Sequence, residues 1–143
     1  MKNLLPRLGL AYFAVQGVLF GVYALLVPEH YFEHFPGGGH AWVGLDGPYN
    51  EHLMRDYGAL NLALGTVALC ALVFASRQLM ITAAIAELVY AIPHITYHVA
   101  THSRLGESGD QVGAIGGLIL NAVIGMLLLV YTHNTRSQAN PSR

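Results

Sequence analysis

Long uninterrupted apolar runs set the frame of this chain. Four of them, at residues 8–27, 50–75, 79–102 and 112–132, reach the length of about 20 residues that a helix needs to cross a hydrocarbon core about 30 Å thick. Pro28 closes the first run and the polar Ser76-Arg77-Gln78 closes the second, while Asp110 stands before the fourth as an N-cap. The pattern predicts an all-α fold, an integral membrane four-helix bundle, with residues 1–133 as one domain and 134–143 as a disordered cytoplasmic tail. The first run has a basic start, but it is too apolar for too long, and no A-x-A pattern follows it. It is therefore expected to be retained as a helix.

Charge sets the expected orientation. Lys2 and Arg7 precede the first span, Arg77 joins the second to the third, and Arg136 and Arg143 follow the fourth. The other side holds Arg104 together with Glu29, Glu33, Asp46, Glu51, Glu107 and Asp110. Basic residues in short loops stay cytoplasmic, so both termini are expected inside and the long first loop, 28–49, outside. That loop carries Tyr31, Phe32, Phe35, Trp42 and Tyr49 around Pro36-Gly37-Gly38-Gly39. Such aromatics favour the headgroup layer and suggest a short interfacial helix followed by a lid. The chain is expected in the cell membrane as a multi-pass protein, as a homo-oligomer or within a larger membrane complex.

Composition narrows the classes further. Hydrophobic residues make up 54% and charged residues 10%, against roughly 45–50% and 25% in soluble domains. Seven Lys plus Arg against eight Asp plus Glu leave a net charge of −1, with no basic surface to neutralise a run of phosphates, so nucleic acid is not an expected partner. Cys70 is the one cysteine and reads as a small buried hydrophobe. Glycine-rich phosphate loops, G-x-S-x-G, H-E-x-x-H and C-x-x-C are all missing from the sequence. No catalytic residue is therefore assigned.

The candidate chemistry lies in polar groups inside the spans, where an ionisable residue costs about 2.5–3.5 kcal/mol at the centre and marks a functional site by default. His52 and Asp56 share one face of the second span, with Glu51 and Arg55 as a second i,i+4 pair beside them. Glu87, His94 and His98 share a face of the third, flanked by Tyr90. At 1.5 Å per residue, His52 and Asp56 lie roughly 3 and 9 Å from the external end, His98 and His94 roughly 6 and 12 Å, and Glu87 roughly 22 Å. Spans joined by so short a turn are expected to pack together, which would bring His52, Asp56, His94 and His98 into one external-half site. Three imidazoles and a carboxylate suit zinc, iron or copper. One histidine from each helix would suit haem b, with redox chemistry then open to it. Arg55, Glu87 and Tyr90 would support such a site or handle protons.

Two further readings stay open: a small proton-coupled transporter or proton relay working as an oligomer, and a non-catalytic accessory subunit whose polar network fixes helix register. Pro93 frees the carbonyl of Val89 and predicts a kink beside His94. Gln16, Asn61 and Asn121 share one depth and read as interhelical hydrogen bonds, and Gly17, Gly21, Gly113, Gly117 and Gly125 as close-packing positions.

The segments from Tyr49 to Asn61 and from Pro93 to His98 carry N-E-H-x-x-R-D and P-H-x-x-x-H. In these the chain resembles a group of uncharacterised small four-span bacterial membrane proteins, and in length and layout it is more loosely similar to DoxX-like proteins. The resemblance implies a four-span fold and singles out His52, Arg55, Asp56, His94 and His98; it implies no activity.

Overall fold

The computed structural model describes residues 4–105 and 108–139, with side chains described as far as Thr135. Lys2, Glu107, Arg143 and the last four residues of the expected tail lie outside the described residues. Helix α1 (Leu4–Leu26) leads into a short α2 (Pro28–His34), which Pro28 starts at its first position, where a missing amide proton costs nothing. A hairpin of β1 (Pro36–Gly37) and β2 (His40–Ala41) follows, with Pro36 opposite Ala41 and Gly37 opposite His40. Its turn places Gly38 and Gly39 at φ of 67° and 89°, a pair of left-handed positions that glycine adopts without strain. A single 3-10 turn, Val43–Asp46, completes the lid.

Helix α3 (Glu51–Phe74) starts where the Asn50 side chain accepts from the Leu53 amide at 3.1 Å. Helix α4 (Arg77–Ala100) starts where Ser76 accepts from the Leu79 amide at 3.4 Å. It continues through Pro93 as one helix. After a second 3-10 turn, His102–Leu105, helix α5 runs Ser108–Ala139. It passes through Asn134, so the expected tail does not begin at a helix end. All four long helices have the length and apolarity to cross a membrane. The fold is the expected all-α four-helix bundle of a multi-pass membrane protein.

Helices α3 and α4 pack against each other as the short turn between them predicts, but α3 has a more extensive partner. The closest partner of α3 is α1, not α4. The reason is a glycine seam: a Cβ on Gly17 would stand 2.6 Å from the Gly65 Cα, one on Gly21 2.6 Å from the Leu62 amide, and one on Gly58 2.9 Å from the Leu25 amide. Such backbone-to-backbone approach is open only to small residues. The second tight pair is α4 with α5, where Gly125 lies against Leu88 and Ala84. Leu10, Phe13, Ala68, Ala71, Met80 and Leu128 form the core at the end of the bundle away from the lid.

Helices α1 and α5 meet in a looser contact than either of these pairs. They touch where Tyr12 donates to Asn121 Oδ1 at 3.0 Å and where Gly9 meets Ile124 and Leu128, and they part towards the lid. Two of the expected packing glycines of the fourth span consequently have other roles. Gly117 borders a cavity, with nothing within 4 Å of its Cβ position, and Gly113 receives the Trp42 ring.

The lid is latched to both helices of the second pair. Trp42 Nε1 donates to Asp110 Oδ1 at 2.8 Å, and His40 Nδ1 lies 2.8 Å from the same oxygen. Asp110, expected as an N-cap, therefore sits inside the first turn of α5 with its carboxylate turned to the lid. The Tyr97 hydroxyl of α4 donates to Asp46 Oδ1 at 3.2 Å and accepts from Arg104 at 3.3 Å.

Candidate functional site

A cavity of about 910 Å³ fills the space where α1 and α5 diverge beneath the lid. Its long wall is a stripe on α1, Leu8, Ala11, Tyr12, Val15, Leu19 and Phe20, at the spacing of one helical face. Leu8, Val15 and Leu19 are more than half exposed, so this wall reaches the outer surface of the bundle and the cavity opens sideways rather than into a sealed core. Leu8 lies 18 residues from the lid end of α1, roughly 27 Å along the axis. The site is thus a long cleft parallel to the helices.

Polar groups gather on the opposite wall and at the lid end. His94 and His98, one turn apart on α4, are half-buried, with Nε2 atoms 3.0 Å apart and rings stacked at 4.8 Å. Tyr90 packs edge-on against His94 at 5.2 Å. Tyr57 of α3 hydrogen-bonds Tyr31 of α2 at 3.0 Å, and both line the cavity with Asn61, Gln16 and the lid residues Trp42 and Asp46. Tyr31 is wholly buried, and burial pushes its hydroxyl above the usual phenol range. A smaller groove between α3 and α4, lined by Leu60, Leu64, Val89, Pro93 and His94, meets the same histidine from its other side.

Only half of the expected histidine and carboxylate set meets here. His52 and Asp56 pair with each other at 2.9 Å, but their side chains are 87% and 65% exposed. They point away from the bundle, because the glycine face of α3 must turn inward to meet α1, and these two residues lie off that face. In the first two turns of a span such groups still reach headgroups and water, so exposure there carries little penalty. Among the described residues, no group of three or more His, Cys, Asp and Glu side chains is placed to hold one metal ion. The haem arrangement expected from one histidine on each helix is not assembled either, since His52 is 87% exposed and lies outside the cavity that His94 and His98 line.

The supporting residues divide as well. Arg55 pairs with Glu51 at 2.8 Å and donates to the Leu25 carbonyl, binding α3 to the end of α1. Tyr90 borders the cavity, whereas Glu87 is 5% exposed and lies deeper, off the cavity lining. In the loop, His30 accepts from or donates to the Tyr23 hydroxyl at 2.6 Å and stacks on His34 at 4.3 Å.

Sequence reasoning assigned no role to Tyr57, read Tyr31 and Trp42 only as interfacial lid aromatics and Asp46 only as an external charge, and read Asn61 and Gln16 only as interhelical links. A signal for Asn61 was present: it shares a face with Met54, Gly58 and Gly65, the small-residue side that buries. No protein-family model, curated protein or solved structure matches the chain.

Proposed function

We propose that the protein binds a single-chain amphiphile taken sideways from the bilayer, in the cell membrane with its lid on the external face. The observation that carries this reading is the shape of the cleft. It has an apolar wall that runs from Leu8 to Phe20 on α1, roughly 18 Å, open towards lipid, and a cluster of imidazole and phenol groups near the lid end. A lipid in the leaflet on that side keeps its head near the surface and its chain towards the midplane. It can therefore enter between α1 and α5 without turning over. The volume lies within the range of roughly 300–1,000 Å³ common for small-ligand sites, and a few convergent polar groups in an apolar lining are their usual composition. His94 and His98 are the residues to read the head, with Tyr57 of α3 beside them.

Trp42 is the chain's one tryptophan and it lines the cleft, so its fluorescence reports occupancy directly. Brominated stearate added to the protein in phosphatidylcholine nanodiscs is expected to quench Trp42 saturably, and His94→Ala or His98→Ala to weaken that binding about tenfold. Quenching that rises linearly without saturation, equal in native and variant proteins, would discard the reading.

A second reading, a metal ion held by the same pair, is favoured by one distance. Two imidazole nitrogens bound to one tetrahedral zinc at about 2.0–2.1 Å stand about 3.3 Å apart, close to the 3.0 Å between the Nε2 atoms of His94 and His98. The remaining ligands would come from water or from the head of the bound amphiphile. Zinc titrated into purified protein is then expected to bind with one site per chain, and the site to vanish in His98→Ala.

A further inference from the structure

Among the described residues, the buried side-chain polar atom left without a hydrogen-bond partner is Gln16 Oε1. Gln16 lies on the long apolar wall of the cleft. Its neighbours in kind are all engaged: Asn121 accepts from Tyr12 at 3.0 Å, and Asn61 donates to the Tyr57 carbonyl at 2.9 Å. Among the described residues none hydrogen-bonds the Gln16 Oε1, so the carboxamide can turn into the cleft without breaking such a bond. An amide at this depth, with lipid outside and an apolar wall around it, leaves hydrogen-bonding capacity that only an occupant can satisfy.

Its position sets where on the occupant that group must lie. Gln16 is ten residues below the lid end of α1, roughly 15 Å, while His98 and His94 are roughly 3 and 9 Å below the lid end of α4. The amide therefore stands about 6–12 Å further into the bilayer than the histidine pair. Resting on the cleft reading above, we infer that the amphiphile carries two hydrogen-bonding groups: a head met by His94 and His98, and a hydroxyl or comparable polar group part-way along its chain, met by Gln16. A simple saturated acyl chain satisfies the first and leaves the second unmet. A hydroxylated chain satisfies both.

The test is competition for the full-length protein in phosphatidylcholine nanodiscs, read as recovery of Trp42 fluorescence from bound brominated stearate. Stearate and a stearate bearing one mid-chain hydroxyl are compared. The hydroxylated chain is expected to compete at least fivefold better on the native protein, and the two are expected to coincide on Gln16→Leu, with Gln16→Met as a second variant should the first be poorly folded. His94→Ala is expected to weaken both competitors alike. Equal competition on the native protein, or a preference that persists without the amide, overturns the inference while leaving the cleft reading intact. Absence of saturable quenching by brominated stearate overturns both.

Discussion

Replacing Gly65 by alanine tests the packing that positions everything else. The added methyl would stand 2.8 Å from the Val18 amide nitrogen and 2.9 Å from the Gly17 carbonyl carbon, where unstrained contact begins at about 3.5 Å. These are backbone atoms with no rotamer to yield, so α1 and α3 must part by roughly 0.7 Å along their shared seam. That places the clash near the upper end of the about 1–3 kcal/mol typical of overpacking. Alanine's better helix propensity returns about 0.5–1 kcal/mol. The net loss is about 2 kcal/mol, close to thirtyfold in the unfolding equilibrium. Gly116→Ala is the matched control: its methyl meets nothing within 4 Å, so the propensity gain stands alone and the protein becomes more stable by about 0.5–1 kcal/mol. The assay is unfolding in mixed micelles of mild detergent and dodecyl sulfate, followed by helix circular dichroism. The two substitutions are expected to move the midpoint in opposite directions. Equal shifts, or a Gly65→Ala midpoint indistinguishable from the native one, would refute the backbone-contact argument and with it the pairing of α1 with α3.

Other expectations are more local. Asn121→Leu removes the acceptor of the Tyr12 hydroxyl and should lower stability by about 0.6–1.7 kcal/mol in the same unfolding assay. Asp110→Ala takes away the partner of both Trp42 and His40, so Trp42 emission should shift to the red and its exposure to aqueous iodide should rise; an unchanged spectrum would mean that the lid is held by other contacts. His52→Ala and Asp56→Ala remove an exposed pair. Each should leave stability within about 0.5 kcal/mol of native and the affinity for brominated stearate unaltered, and a tenfold loss of affinity would return these residues to the site.

The membrane-spanning frame was legible because chain length and apolarity set it: α3 and α4 lie within two residues of the runs read from sequence, and the capping roles of Asn50 and Ser76 mark their starts. The facing of α3 was not legible from its charges. His52 and Asp56 form an inviting pair, but near the end of a span a charged face is as well served by headgroups as by a binding site. What fixed the rotation of α3 was the pairing of Gly58 and Gly65 with Gly21 and Gly17, a requirement of backbone approach that polar periodicity does not encode. The His94–His98 pair was readable from its spacing alone, since both rings lie on one face of one helix. Its surroundings were not, because Tyr31, Trp42 and Asp46 reach the cavity through a lid whose path depends on the hairpin turn at Gly38 and Gly39 and on a latch to the final helix.

That latch spans much of the chain, because Trp42 precedes Asp110 by 68 residues. At a synthesis rate of about 5–20 residues per second, roughly 3–14 s separate the emergence of the indole from that of its acceptor. Once α3 (Glu51–Phe74) has followed, the nascent first helix pair stands in the bilayer for the rest of this interval with its apolar stripe uncovered and its cap unfastened. Closure of the cleft is thus a late event of biogenesis, and surrounding lipid has access to the α1 wall before the protein is complete.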